Sequence, residues 1–408
     1  KKIEAKLAFE ANLPCKEFIM RIKKQLDETK EHRELIQSTL RGYIFETYSN
    51  KFQFIFELIQ NADDADYCET TARGELYIRV LDGELIFSCN QKEFSQQNVH
   101  NLCSIRQSDK ILGQTIGHKG IGFKSVFCCF DKVSIFSNEW KFYFEKTDKV
   151  DELAYITPIW IEDIPADISK ELERYPKNTI LSMQIKDDDN PKDYLNYLSH
   201  FNEFSLLFTR KLKQLTIESD LLEATCLKLT ESKSFKLGKD LDNKHFSDLR
   251  VVEKTIEKSN LNSKNFLIFS CKVNELDYNA LNKETDFARI SIAFPVLDFS
   301  VKNKFPLFST FPIKNIGDYE FIINADFSLT TNREDLLDNL RNKSLLQSIG
   351  SFIEYMFFNQ ILTNDHPLRD DFDLVIGNIL FFLPKYSAQK SPKLDSLDRK
   401  IEQILTKV

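Results

Sequence analysis

Between Phe56 and Tyr67 the chain reads Phe-Glu-Leu-Ile-Gln-Asn-Ala-Asp-Asp-Ala-Asp-Tyr, and this run organises the rest. On a helix, Glu57, Asn61 and Asp64 fall at i, i+4 and i+7 and share one face. Leu58, Ile59, Ala62 and Ala65 cover much of the remaining surface and can enter a core. Two acids and a carboxamide aligned on a core-packed helix make a polar row where water access is limited. Such a row is either a hydrogen-bonded seam or a place for a cation and a reaction.

The totals narrow the classes. A chain of 408 residues, 42% hydrophobic and 29% charged, suits a soluble globular protein of two to three domains. A net charge of −7 argues against a surface that grips nucleic acid throughout. The eight cysteines form no CxxC pair, and Cys128 and Cys129 are adjacent, which suits free thiols in a reducing compartment. The six histidines form no HExxH, so a structural metal is not indicated. No apolar run approaches bilayer length and no signal peptide opens the chain, so an intracellular location, cytoplasmic or nuclear, is expected. A start without Met and an end inside a helical pattern suggest a fragment of something longer.

Helical spacing runs through residues 3–50, and the organising helix follows from about Lys51. Strands are predicted at Glu75–Leu81 and Glu84–Cys89, joined at Asp82-Gly83, a strong hairpin signal. A helix over Ser95–Ser104 and a polar stretch from Arg106 to Thr115 lead into Ile116-Gly-His-Lys-Gly-Ile-Gly-Phe-Lys-Ser-Val-Phe127. Strands follow near Lys132–Phe136, Trp140–Glu145 and Thr179–Ile185, then a helix over Asp193–Lys213. This order predicts an α+β fold, a mostly antiparallel sheet with helices on one face. Further strands fall between Leu215 and Leu297, including Asn265–Val273 and Ala288–Phe294, with helices over Asn342–Leu362 and in the tail. Three segments are expected: residues 1–213, 214–340 and 341–408.

Gly117, Gly120 and Gly122 form GxxGxG at the start of a predicted helix. Glycines allow close backbone approach, and a helix N-terminus offers free N–H groups to phosphates. Alone the pattern is weak, and the GK[ST] of a Walker A loop is missing. Paired with Glu57 and Asn61 it gains meaning. A carboxylate base, an amide oxygen for Mg²⁺ and backbone amides for phosphates together make a phosphoryl-transfer site.

At these residues the chain resembles the GHKL ATPases, which include the ninety-kilodalton heat-shock chaperone, the gyrase B subunit, MutL and histidine kinases. Glu57-Leu-Ile-Gln-Asn61-Ala-Asp-Asp64-Ala is similar to the family's N box, and Gly117–Gly122 to its glycine box. Within that family the chain resembles the sacsin and "no vein" branch, through LIQNADDA, IGHKGIGFKSVF and ADFSLTTNRED. The resemblance implies a Bergerat α/β sandwich followed by a middle, transducer-like domain, with ATP and Mg²⁺ as cofactors. It makes Glu57 the general base and Asn61 the Mg²⁺ ligand, and has Asp64 support the pocket. Gly117, Lys119, Gly120, Ile121, Gly122 and Phe123 become the phosphate-side segment. Thr179 is similar to the family's threonine near the adenine. The usual DxGxG is absent after the second strand, where the chain reads Phe87-Ser-Cys-Asn-Gln-Lys. Asn90 is the candidate there, a neutral and weaker acceptor for the adenine amino group.

The polar stretch holding Arg106, Ser108, Lys110 and Lys119 reads as a solvated loop or a nucleotide lid. Lys124, one turn on, faces phosphate or solvent. Asn324-Ala-Asp-Phe-Ser-Leu-Thr-Thr-Asn-Arg333-Glu resembles the chaperone middle-domain loop whose Arg reaches the γ-phosphate, with Asn332 in place of the family's Ser. The resemblance makes Arg333 a second catalytic residue, the alternative being a partner for Glu334 or Asp335.

Two functions follow: an ATP-hydrolysing conformational switch of the chaperone or sacsin-like type, or a gyrase, MutL or MORC-like ATPase of a nucleic-acid-remodelling or defence complex. DNA-stimulated turnover separates them. A histidine-kinase relative is disfavoured, since those lack the base and the downstream Arg. The expected partners are a protein client and, through residues 3–30, a second copy of the chain in an ATP-dependent homodimer.

Overall fold

The computed structural model describes residues 13–27, 51–68, 73–81, 83–104, 122–146, 152–199, 203–220, 224–236, 245–259, 263–274, 288–295, 304–313, 316–317, 319–330, 335–356 and 394–405. These form two compact units. Each is a mixed α/β assembly around a mostly antiparallel sheet.

The first unit holds helices α1 (Cys15–Asp27), α2 (Gln53–Asp64), α3 (Gln96–Leu102), α4 (Ala166–Arg174) and α5 (Pro191–Ser199). Its strands are β1 (Gly74–Leu81), β2 (Glu84–Cys89), β3 (Lys132–Ser137), β4 (Trp140–Glu145), β5 (Ile159–Trp160) and β6 (Thr179–Gln184). The residues of β7 (Leu212–Ser219) from Leu215 onward also belong to it. The strand order is β7-β1-β2-β6-β3-β4-β5. Leu81 pairs with Glu84 across the expected two-residue turn, where Gly83 takes φ +81°, a conformation glycine adopts without a Cβ penalty.

β1 alternates buried and half-buried residues, whereas β2 is buried on both faces from Leu85 to Cys89. The second face of β2 is closed by α4. Ile168 of α4 meets Ile86, Phe136 and Ile180, with Leu172 packed at the edge. Strand alternation puts Ile86 on the face opposite Cys89, which contacts the segment following α2. Helices therefore cover both faces, and the expectation of one covered face is corrected. The sequence between Asp163 and Tyr175 carries too few large apolar residues to announce α4. Charges hold it instead. Buried Glu171 pairs with Arg79 of β1, and Arg174 donates two 2.8 Å hydrogen bonds to Glu218 of β7.

The second correction concerns the helix expected over Asp193–Lys213. α5 is described only to Ser199, a short 3-10 turn covers Glu203–Leu206, and β7 starts at Leu212. Within the second unit Phe204 packs edge-on against Phe266 and Phe305, and Phe208 against Phe308. Thr209 adds a 2.6 Å hydrogen bond to the Leu206 carbonyl. Tertiary aromatic packing and a local side-chain bond outweigh helical spacing here.

The second unit holds β8 (Thr225–Lys236), β9 (Phe246–Lys258), β10 (Lys264–Val273), β11 (Ala288–Pro295), β12 (Leu307–Ser309), β13 (Phe311–Pro312) and β14 (Ile322–Ala325), in the order β13-β12-β14-β11-β10-β9-β8. β12 and β14 are parallel, while the β8–β9, β9–β10, β10–β11 and β11–β14 pairs are antiparallel. Helices α6 (Leu340–Met356) and α7 (Asp395–Leu405) close one large core. Leu345, Ile349, Phe352 and Leu397 are buried with Val251, Phe269, Ile290 and Ile323. Gly350 lets the helices approach, since a Cβ there would lie 2.7 Å from Lys400 Cγ.

All eight cysteines are free, matching the expectation from their spacing. Among the described residues, no helix is long and apolar enough to cross a membrane.

Candidate functional site

α2 is fixed at both ends. At its start, Lys51 forms a 2.8 Å ion pair with Asp189, and Phe52 stacks on Tyr197 at 4.8 Å. Phe54 is fully buried against Phe130. At its end, the Tyr67 hydroxyl donates to the Ala62 carbonyl at 2.6 Å. Burial, and then the neighbouring Cys89, push the Tyr67 phenol far above its ordinary range, so it remains a neutral donor. Between these anchors Phe54, Ile55, Leu58, Ile59 and Ala62 face the core. Glu57, Asn61 and Asp64 are half-buried, so the row predicted from spacing lies along one partly accessible face. Gln60 and Asp63 are buried polar neighbours with no signal in the periodicity.

The glycine segment meets this row. α2 packs against a 3-10 helix, Gly122–Cys128, which is tighter than the α-helix expected from the sequence. Ser125 bonds back to the Gly122 carbonyl at 2.6 Å, and only three residues separate Cys128 from β3. A Cβ on Gly122 would lie 3.4 Å from Glu57 Cδ and closer still to Glu57 Oε2. Two motifs far apart in the chain thus converge on one carboxylate, and any side chain at position 122 would have to displace it. Phe123 is half-buried, with its ring 6.0 Å from Phe127 and 6.2 Å from Phe144.

Lys124 is turned away from solvent. It is 3% exposed, and its ammonium donates to the Leu102 carbonyl at the end of α3 at 2.8 Å. Burial lowers its pKa from 10.5 to about 8, while Cys103 beside it is raised to about 12 by the same cause. Between pH 8 and 10.5 the lysine is neutral in the fold and charged in the unfolded chain. The contribution of Lys124 to stability therefore rises with pH across that window, lowering the unfolding constant by up to about tenfold per pH unit. Below pH 8 the penalty is complete. Because Cys103 acts in the opposite direction above pH 9, the test is a difference: the denaturant midpoint of wild type should rise relative to that of Lys124→Met across that window. Parallel pH curves would contradict a lysine buried at that cost.

At the far end of α2, Thr179 opens β6 opposite Cys89 in the antiparallel register. It is 4% exposed, and its hydroxyl lies 2.7 Å from that of Ser137. Cys89 Sγ is 3.3 Å from the Tyr67 hydroxyl. Asn90 is bound to backbone: its Oδ1 accepts from Glu75 N–H at 2.8 Å and its Nδ2 donates to the Arg73 carbonyl at 3.0 Å. Both ends of the carboxamide thus brace the start of β1, which leaves one lone pair of Oδ1 and one N–H of Nδ2 for an adenine contact. Ser137, with nothing in its spacing to mark it, is the residue that sequence reasoning missed.

Ser108, Gly117, Lys119, Gly120, Ile121 and Arg333 lie outside the described residues. Among those described, no group of three or more His, Cys, Asp or Glu side chains is placed to hold a metal. The predicted N-terminal strap is described from residue 13. There α1 packs on its own unit, with Phe18 edge-on to Trp140 at 5.8 Å and Gln96 donating to the Leu13 carbonyl.

No family model matches the chain. It is similar to Protein NO VEIN of Arabidopsis thaliana, 29% identical over 349 residues, covering 80% of this chain and 12% of that protein. It is also similar to the chaperone protein HtpG of Wigglesworthia glossinidia brevipalpis, 26% identical over 260 residues, covering 56% of this chain and 40% of that protein. The chain thus spans less than half of either relative. Among solved structures, the crystal structure of the N-terminal domain of a DNA repair protein aligns over 81% of this chain and 100% of that one. Its TM-score is 0.35 at 10% identity, a likeness too distant to bear on fold or function. Of these two relatives, the second is named as a chaperone.

Proposed function

We propose that the chain is a Mg²⁺-dependent ATP-binding and ATP-hydrolysing conformational switch of the chaperone or sacsin-like type. Its first unit would be a Bergerat sandwich of the GHKL kind, within residues 1–213. Residues 214–340 would form a transducer-like domain carrying Arg333, and residues 341–408 a helical extension. The observation that carries this reading is the junction of Glu57 with Gly122. It brings a candidate base to the end of a candidate phosphate segment, one helical turn from Asn61.

The donor set suits Mg²⁺, which commonly takes one or two protein oxygens and completes its shell with water and phosphate. Asn61 supplies an amide oxygen from a half-exposed helix face. When bound, Mg²⁺ would offset charge on the β- and γ-phosphates. Glu57 would orient a water and accept its proton, and Asp64 would support the pocket wall. The backbone of Gly122 and Phe123, with Gly117, Lys119, Gly120 and Ile121 before it and Ser108 in the preceding stretch, would hold the phosphates. Arg333 would stabilise charge in the transition state, making turnover depend on domain docking. Thr179 and Asn90 stand at the base end. A protein client and an ATP-dependent homodimer remain the proposed partners.

Calorimetric titration with ATP, with and without Mg²⁺, tests the metal assignment. Wild type should bind more tightly with Mg²⁺. Asn61→Ala should lose that gain, about tenfold or more, since even outer-shell partners of a metal contribute that much. Equal Mg²⁺ dependence in both proteins would refute the role of Asn61.

A further inference from the structure

In the second unit, one side chain from the first turn of α6 clasps the stretch that follows β14. Asn339, just before α6, accepts from the Asn342 N–H at 2.8 Å through its Oδ1, which fixes the backbone at Asn342. Asn342 is 3% exposed, and its carboxamide reaches two separate backbone segments. Its Oδ1 accepts from Ser328 N–H at 2.9 Å, and its Nδ2 donates to the Ser328 and Leu337 carbonyls, each at 2.7 Å. The two segments also pair with each other. Leu337 N–H donates to the Ser328 carbonyl and Thr330 N–H to the Asp335 carbonyl, both at 2.9 Å, with Leu329 bridging Leu336 between them. Thr330 Oγ1 accepts in turn from Asp335 N–H at 3.2 Å.

A carboxamide is costly to bury and is kept where its polar atoms find partners. Here those partners are the two arms that lead into and out of residues 331–334, the stretch containing Arg333. The Ser328 carbonyl takes both the Leu337 N–H and an Asn342 N–H, so both of its lone pairs are used. The clasp is anchored in the core, because Leu336 on one arm and Leu345 and Ile349 of α6 are buried together. A leucine at position 342 would have similar volume but would take away the partners of the Ser328 N–H and the Leu337 carbonyl. We propose that Asn342 is a positioning residue for turnover: it clasps the arms on either side of residues 331–334 and so sets where the Arg333 charge is presented. This inference rests on the nucleotide reading above and on the role given there to Arg333. It differs from a fold-holding role in one respect. Asn342 acts through Arg333, so its loss has no further effect once Arg333 is gone.

Hydrogen exchange, ATP affinity and ATP turnover are compared in wild type, Asn342→Leu, Arg333→Ala and the double variant. Without nucleotide, Asn342→Leu should exchange about tenfold faster than wild type across residues 328–337, with β14 unchanged. Its turnover at saturating ATP should fall about tenfold or more, while ATP affinity stays within about twofold. In the Arg333→Ala background the same substitution should slow turnover no further. A folded Asn342→Leu protein with wild-type exchange, or with wild-type turnover, would overturn the proposal. A further tenfold loss in the double variant overturns it too, since that is the signature of a general structural role. If Asn342→Leu does not fold, Thr330→Val loosens the same arms nearer their tip. Faster exchange with unchanged turnover in that variant overturns the proposal equally. Wild-type turnover in Arg333→Ala sinks the role of Arg333 and this proposal with it. A wild type that binds no ATP sinks the nucleotide reading itself.

Discussion

Gly122→Ala is expected to reduce ATP turnover by about a hundredfold, the loss typical of a catalytic group displaced by about 1 Å. The reason is steric. The new Cβ would fall inside contact distance of Glu57 Oε2, and the carboxylate, as the free end of a flexible side chain, would yield rather than the backbone. Stability should change little. The site is a 3-10 helix start with no positive φ to strain, and replacing glycine by alanine in a helical segment is worth under about 1 kcal/mol. Steady-state phosphate release together with a thermal melt checks both halves. Normal turnover in Gly122→Ala would mean that the carboxylate position at this junction is unimportant to the chemistry.

Glu57→Ala should cost more, roughly 10² to 10⁴ in turnover, the range for loss of a positioned general base. Binding should survive, because the phosphate-side backbone, Asn61 and the base end are untouched. Removing a negative charge from the neighbourhood of a triphosphate should, if anything, tighten it. Glu57→Gln separates charge from shape: it keeps the volume beside Gly122 but cannot accept a proton, and should be as slow as the alanine variant.

Much of this site was legible because its signals are local. The i, i+4, i+7 spacing placed Glu57, Asn61 and Asp64 on one face, and the structure keeps them there, half-buried. Leu81 and Glu84 flank the predicted hairpin turn; β1 begins one residue earlier than predicted, and β2 has the predicted bounds. What spacing could not give was the partner of each element. α4 is held to the sheet by Arg79, Glu171, Arg174 and Glu218, charges that read as solvated on a linear sequence. The segment after Ser199 left its helical pattern because Phe204 and Phe208 found aromatic partners distant in sequence. Lys124 looked available to phosphate, yet a carbonyl at the end of α3 claims it. Asn90 reads from the sequence as a candidate adenine acceptor, and its amide also braces the start of β1, a partner that spacing does not reveal. Ser137 gave no signal, since a serine closing a strand is unremarkable until its neighbour across the sheet is known.

The central claim is that the Glu57–Gly122 junction is the catalytic wall of an ATP site. The most direct test measures ATP affinity and single-turnover hydrolysis on wild type and Glu57→Ala, under the same Mg²⁺ concentration. The account predicts binding in both proteins, hydrolysis in wild type, and hydrolysis in the variant slower by about a hundredfold or more. Equal hydrolysis rates in the two proteins would contradict it.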